Sequence, residues 1–263
     1  MPGVAQTEQG RVMADFTGKI ALVTGATSGI GAATARAFAA AGATVVAVGR
    51  DHARGEAVVA DCDAAGGAGS VFLAADVTAP DALDGVVASV VERFGRLDIA
   101  FNNAGWQEAR APLADQPDDV FDRVFATNTR SLFQAMRAQI TVMRAQGGGV
   151  IVNNASVSGV RNPNPGLALY AASKAAALAL TRTAALENAP LGVRINAVSP
   201  GRVETPMMLG SKIADMNVVA AGLPARRLGQ PEEVARAVLW LASDAASFVI
   251  GHNLCVDGGF LAT

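Results

Sequence analysis

The stretch KIALVTGATSGIGAATARAFAAAG, residues 19–42, changes its period once. Residues 19–24 form a short apolar run of the kind buried in a sheet. From Gly29 onward the apolar positions recur at helical spacing, and the pattern stops at Gly42. Between the two lies TGATSGIG, residues 24–31, with Gly25, Gly29 and Gly31 in G-x-x-x-G-x-G spacing. Glycine lets a backbone turn sharply and approach a ligand closely. A helix N-terminus offers free N–H groups and positive partial charge to a pyrophosphate. The spacing is not G-x-G-x-x-G, so on this stretch alone a tight strand–helix turn without a ligand stays open.

The same alternation continues along the chain. Strands are expected over 44–49, 70–76, 97–105, 149–156, 193–201 and, briefly, 252–259. Helices are expected over 51–66, about 81–94, roughly 117–146, one ending near 189, and 231–243. The last has Pro at its first turn together with acidic residues, a strong helix start. Apolar strands alternating with helices predict an α/β fold: a Rossmann-like, doubly wound, seven-stranded, mostly parallel sheet with helices on both faces. No linker divides residues 18–263, which read as one domain with a substrate loop at about 201–230. Residues 1–17 read as a loose arm, and Met13 is an alternative start.

Composition narrows the function classes. Of the 263 residues, 51% are hydrophobic and 17% charged, with a formal net charge of -2. That excludes a disordered chain, and without basic clusters nucleic acid is not an expected partner. Cys62 and Cys255 form no metal or disulfide pattern, and His52 and His252 lack ligand spacing, so no metal is expected. The N-terminus has no secretory character. No run of about 18 apolar residues is present, so no membrane span is expected. A cytoplasmic protein is the expectation.

Ligands of open α/β sheets sit at the carboxyl ends of the strands, where several further residues fall. Asp76 ends the third strand; its carboxylate can accept from an adenine amino group or cap the next helix. NNAG, residues 102–105, ends the fourth, and its Ala104–Gly105 pair leaves room for a ribose. The second strand ends in Gly49–Arg50 rather than in the carboxylate that would bond the 2′-hydroxyl of NAD. Arg50 can pair with a 2′-phosphate and stack on adenine, which favours NADP and leaves NAD possible. The glycine loop carries Ser28 rather than a second basic residue, and Asp51 lies close by.

Tyr170, the only tyrosine in the chain, precedes Lys174 by four residues, so the two share a helix face. A free phenol has a pKa of about 10; a neighbouring ammonium lowers it, and the pair can then shuttle a proton to or from an alcohol oxygen. Ser156 follows the fifth strand and can polarise a carbonyl, with Ser158 as a rival. Asn128 stands inside the long 117–146 helix, where asparagine is a poor helix former; a side-chain or water relay would account for it, as would a harmless polar position.

Together, TGATSGIG, NNAG, the Asn128 segment, Ser156, YAASK (170–174), SPGRVETPM (199–207) and FVIGHNLCVDGG (248–259) resemble, in type and order, the short-chain dehydrogenase/reductase family. The match runs from about residue 18 to the end. The resemblance implies hydride transfer with a nicotinamide cofactor and no metal. It implies Tyr170 as acid/base, Ser156 holding the substrate oxygen, Lys174 lowering the tyrosine pKa and gripping the nicotinamide ribose, and Asn128 supporting a water-mediated relay. It also places Ile30 at a phosphate, Val77 at adenine, Asn102 and Ala104 on the ribose side, and Val203 and Thr205 at the nicotinamide carboxamide. A homotetramer is implied as well. Two departures touch the substrate mouth: Ala155 stands where serine is frequent, and Pro163 and Pro165 lie between Ser156 and Tyr170.

The expected function is an NAD(P)-dependent oxidoreductase interconverting a secondary alcohol and a ketone. A silent dinucleotide sensor on the same fold is the alternative. A methyltransferase-like Rossmann protein would leave Tyr170 and Lys174 unexplained. Trp106, Met207, Met208, Leu209 and Met216 are candidates for the substrate pocket or an apolar lid.

Overall fold

The computed structural model describes residues 14–162, 165–211 and 215–263. Met13 and Pro163 lie outside the described residues, as does most of the expected N-terminal arm. The described part of that arm is anchored: the Phe16 ring packs edge-on against Phe38, with centroids 5.3 Å apart, and its N–H donates to the Ala41 carbonyl.

Seven strands run in the order β3-β2-β1-β4-β5-β6-β7. They are β1 (Ile20–Thr24), β2 (Thr44–Gly49), β3 (Val71–Ala74), β4 (Ile99–Asn102), β5 (Gly149–Asn154), β6 (Val193–Pro200) and β7 (Asn253–Val256). Every neighbouring pair is parallel, so the sheet is wholly rather than mostly parallel. Each crossover is therefore a helix or loop that returns over one face. Side chains alternate across the strands. Ala21 and Val23 of β1, with Val45 and Ala47 of β2, face α1 (Gly29–Ala40), α2 (His52–Ala64) and α9 (Pro231–Ala242). Ile20, Leu22, Val46 and Val48 face the other way, onto α3 (Ala82–Phe94), α5 (Ser131–Ala145) and α6 (Ala168–Asn188). Both faces are buried, which is why the strands read as continuous apolar runs.

The fourth and fifth strands, expected over 97–105 and 149–156, end earlier, at Asn102 and Asn154, and three further elements differ from the sequence expectation. The helix expected over 117–146 is broken into α4 (Asp118–Phe125), a wide π turn over 126–130, and α5. The third strand stops at Ala74 because the Asp76 carboxylate folds back onto Thr78, accepting from its N–H at 2.9 Å and its hydroxyl at 2.8 Å. The last strand stops at Val256 because Asp257 turns the chain, accepting from the N–H groups of Gly259 and Leu261. The 201–230 segment holds two short helices, α7 (Pro206–Leu209) and α8 (Met216–Ala221). Among the described residues no helix is long and apolar enough to cross a membrane.

The strand order reverses between β1 and β4, whose carboxyl ends therefore open a crevice. Its position depends on α1 lying flat on the sheet, which the fully buried Phe38 enforces. Replacing Phe38 with Ala should lower unfolding free energy by roughly 3–5 kcal/mol; a urea midpoint near that of the parent would show that α1 is held by other means.

Candidate active site

The crevice is a cleft with a cavity of about 360 Å³. Gly25, Ser28, Gly29, Ile30, Arg50, Asp76, Val77, Ala104, Gly105, Ser156, Tyr170, Lys174, Val203 and Thr205 all line it. Three expected site residues, Gly31, Asn102 and Asn128, do not.

At one end the loop after β1 is stitched to the turn after β4. The Thr24 hydroxyl accepts from the N–H groups of Asn103 and Ala104, at 3.0 and 3.1 Å. The Asn103 amide donates back to the carbonyls of Thr24 and Gly25. Gly25 and Gly29 have φ of +64° and +53°, a region open to glycine at no steric cost. Gly31 works differently: a Cβ there would lie 2.2 Å from the Gly25 carbonyl oxygen, so this glycine lets the loop close onto α1. Ser28 caps α1 in extended geometry, yet its side chain makes no cap bond. The first N–H groups of α1 thus face the cleft without a side-chain acceptor.

Asn102 sits inside the protein rather than on the ribose side. Its amide exchanges hydrogen bonds with Gln139 and donates to Asn153, and Asn153 donates to Thr181. This buried network ties β4 and β5 to α5 and α6. Of the two asparagines of the NNAG turn it is Asn103 that lines the cleft, because the side-chain direction alternates from one residue to the next. No sequence period distinguishes the two asparagines.

Where β2 and β3 end, Arg50 is exposed, with Nη1 3.8 Å from the Asp76 carboxylate. Asp76 therefore closes its own turn and does not cap α3, whose cap residue is Asp81. Asp51 is engaged as the cap of α2, accepting from the Arg54 N–H and pairing with the Arg54 guanidinium at 2.8 Å. Arg54 also lines the cleft, a residue the sequence reading missed; its place one turn into α2 is the signal that would have found it.

At the chemical end the Ser156 hydroxyl lines the cleft with the Tyr170 phenol, near enough to favour its phenolate, and accepts from the Ser158 N–H at 3.1 Å. Ser158 lines the cleft as well, but Ser156 is the one whose hydroxyl acts on the tyrosine. Lys174 is buried, and its Nζ donates to the Asn154 carbonyl at 2.7 Å. The Asn128 amide sits in the π turn and is committed: it donates to the Trp106 carbonyl and the Ser173 hydroxyl and accepts from the Trp106 N–H. A Cβ on Gly105 would meet both Asn128 Oδ1 and Lys174 Nζ within about 3.5 Å. Asn128 thus lies behind Gly105, close to the lysine, and fixes the Trp106 loop. π turns concentrate at functional sites, and here the widened turn carries the asparagine. Val203 is buried, and the Thr205 hydroxyl caps α7 by accepting from the Met208 N–H.

The electrostatics correct one sequence expectation. Burial is the dominant effect on Tyr170 and raises its pKa; the bond to Ser156 and the charge of Arg202 pull the other way, while Glu108 adds to the rise. Lys174, 5.8 Å from the phenol ring centroid, is itself pushed down by burial, to about 8. Desolvation disfavours the charged form of both groups. In the protein alone, then, the phenol is held neutral and the ammonium is weakened.

The donors fit a dinucleotide. The cleft lining carries Arg50, Arg54, Arg123, Lys174 and Arg202 against the carboxylate of Asp76, a balance suited to phosphates. Asn154 Oδ1, in the same lining, is shielded from solvent and has no hydrogen-bond partner among the described residues. The glycine loop leaves backbone where a Cβ could not fit.

Lys174 also links the site to stability. Its folded pKa lies near 8 and its ordinary value is 10.5, so between these values the folded state binds fewer protons than the unfolded state. Stability from this group therefore climbs as pH rises through that window, and the full penalty of the buried ammonium is present below it. Tyr170 titrates with the opposite sign, so the comparison should be made against Lys174→Met. The parent should gain on that variant in urea midpoint from about pH 8 to about pH 10; a constant difference would contradict it.

The chain matches other proteins over nearly its full length. The family model described as Enoyl-(Acyl carrier protein) reductase matches residues 25–261. A short chain dehydrogenase/reductase, astE, of Aspergillus oryzae is 37% identical over 92% of this chain and 94% of that protein. The crystal structure of levodione reductase superposes with a TM-score of 0.91 at 35% identity, covering 94% of this chain and 99% of that one. An NAD+-bound xylitol dehydrogenase superposes with a TM-score of 0.87 at 38% identity, covering 93% and 99%. With a parallel sheet that opens at its switch point, a glycine loop beneath α1 and Ser156, Tyr170 and Lys174 at one cleft, this chain belongs to the short-chain dehydrogenase/reductase family.

Proposed function

We propose that the protein is an NAD(P)-dependent oxidoreductase interconverting a secondary alcohol and a ketone, with Tyr170 as acid/base. The observation that carries this reading is the Ser156 hydroxyl beside the Tyr170 phenol, in the same cleft as Lys174 and the Gly25–Gly29 loop. Two such groups can share one substrate oxygen, and a proton can pass at the tyrosine. Levodione reductase and xylitol dehydrogenase carry names from either direction of such chemistry.

The Gly25–Ile30 backbone and the α1 N-terminus would hold the pyrophosphate. Asp76 and Val77 would flank adenine, and Lys174 with Ala104 and Gly105 the nicotinamide-side ribose. Val203 and Thr205 would hold the carboxamide. When bound, the nicotinamide ring supplies the hydride acceptor or donor. Ser156 then orients the substrate oxygen and lends it a hydrogen bond. Tyr170, kept protonated by burial, is ready to donate to a developing alkoxide. Asn128 holds the Trp106 loop, and so the wall of the cleft, in place.

Replacing Tyr170 with Phe should lower turnover by about 100-fold or more while cofactor binding, followed by fluorescence titration, stays near that of the parent. Near-native turnover would remove Tyr170 from the role. The cofactor is read as NADP, because Gly49–Arg50 ends β2 and the nearby Asp51 carboxylate is occupied by Arg54. Arg50→Ala should weaken NADPH binding by roughly tenfold or more, as expected for a charge-assisted bond, and should weaken NADH much less. Equal losses, or a parent that prefers NADH, would assign NAD instead.

A further inference from the structure

Arg202 is not used by the reaction as described, and its surroundings are unusual. It lies just past β6 and lines the cleft near Tyr170, close enough for its charge to favour the phenolate. It is half-buried, and burial pushes its pKa down. A guanidinium has five N–H donors, and removing it from water is costly unless acceptors replace the lost solvent.

The other strongly desolvated arginine, Arg194, shows what such replacement looks like. Its guanidinium donates to the carbonyls of Leu241, Ala242, Ser243 and Ala246, at 2.9–3.3 Å. Arg202 has no such set: among the described residues its guanidinium makes no hydrogen bond and no ion pair. Its guanidinium lies over the Phe260 ring, 5.6 Å from the centroid. Its strongest charged neighbour is another arginine, Arg110, which repels it. The nearby acids bond elsewhere: Glu108 accepts from the Tyr170 N–H through Oε1, its Oε2 having no partner among the described residues, and Asp257 accepts from Gly259 and Leu261. The ring orients the guanidinium plane without satisfying its edge.

We propose that Arg202 binds an oxyanion on the substrate, so that the preferred substrate is a ketone or alcohol bearing a carboxylate or phosphate. The inference rests on the alcohol/ketone reading of the Ser156–Tyr170 site and names its substrate class. An anionic group completes what the structure leaves open: it supplies acceptors to a planar donor edge that matches a carboxylate in bidentate fashion. It also relieves the repulsion between Arg202 and Arg110. Arg202 is then a specificity-determining residue, placed to set which end of a substrate faces Tyr170.

The test compares charged and neutral partners of equal reach. Levulinate and acetoacetate would each be assayed against their methyl esters, and dihydroxyacetone phosphate against dihydroxyacetone, in the parent, Arg202→Ala and Arg202→Lys. The parent should show a higher kcat/KM for the anion in at least one pair; the carboxylate and phosphate arms tell which oxyanion is read. That preference should fall roughly tenfold or more in Arg202→Ala, through KM, with part of it kept by Arg202→Lys. A parent that favours the neutral partner in every pair would overturn the proposal. So would a preference unchanged in Arg202→Ala, including the case where both partners shift alike in pH profile, which would mean that Arg202 acts only on Tyr170. If the parent turns over no probe, the reaction reading fails on these substrates and binding decides. Calorimetric titration of the cofactor-loaded parent with levulinate and with inorganic phosphate should then show binding that Arg202→Ala loses; no binding to the parent, or equal binding to both proteins, would reject the oxyanion site.

Discussion

The contact between the loop after β1 and the turn after β4 is the constraint on which the rest of the site depends. Gly25 and Gly31 allow it because any side chain at either position would run into Asn103 or the Gly25 carbonyl. Thr24 and Asn103 then lock it with four hydrogen bonds between a hydroxyl, an amide and the backbone. One consequence is local: α1 begins where its free N–H groups face the cleft. The other is longer in range. The Asn154 amide donates to Asn103, and the Asn154 carbonyl receives Lys174. The glycine-loop end and the Tyr170 end of the cleft are therefore joined through one asparagine at the tip of β5.

Burial, more than charge pairing, governs the chemical end. The tyrosine–lysine spacing invites the idea that the ammonium simply acidifies the phenol. In the folded protein both groups are desolvated, so each is driven toward its neutral form. The nearby charges act as smaller corrections, Arg202 favouring the phenolate and Glu108 opposing it. A site of this kind responds strongly to any charge that enters the cleft, because little solvent is present to screen it.

Rigidity comes from polar groups as much as from apolar packing. The Asn102–Gln139–Asn153–Thr181 network lies between the sheet and the helices α5 and α6. Fully satisfied, such a network specifies one arrangement of the elements that share it. It supports the strand ends from below, while the Asn128 amide in the π turn clamps the Trp106 loop from the side. The single helix expected over 117–146 could not have presented Asn128 in this way, since the wide turn is what redirects the residue.

By itself, the sequence determined the alternation of strands and helices, the position of the glycine loop and the spacing of Tyr170 and Lys174. Each of these is a local property, written in periods of two and 3.6 residues and in the steric freedom of glycine. The order of motifs was enough to identify the family and to nominate Ser156 over a long separation. The tertiary structure decided what depends on distant contacts. It turned Asn102 inward and Asn103 toward the cleft, interrupted a helix at Asn128, and left Arg202 beside Tyr170 without an acceptor. None of these leaves a local signature, because hydrogen-bond satisfaction and desolvation belong to the packed environment and not to the residue that feels them.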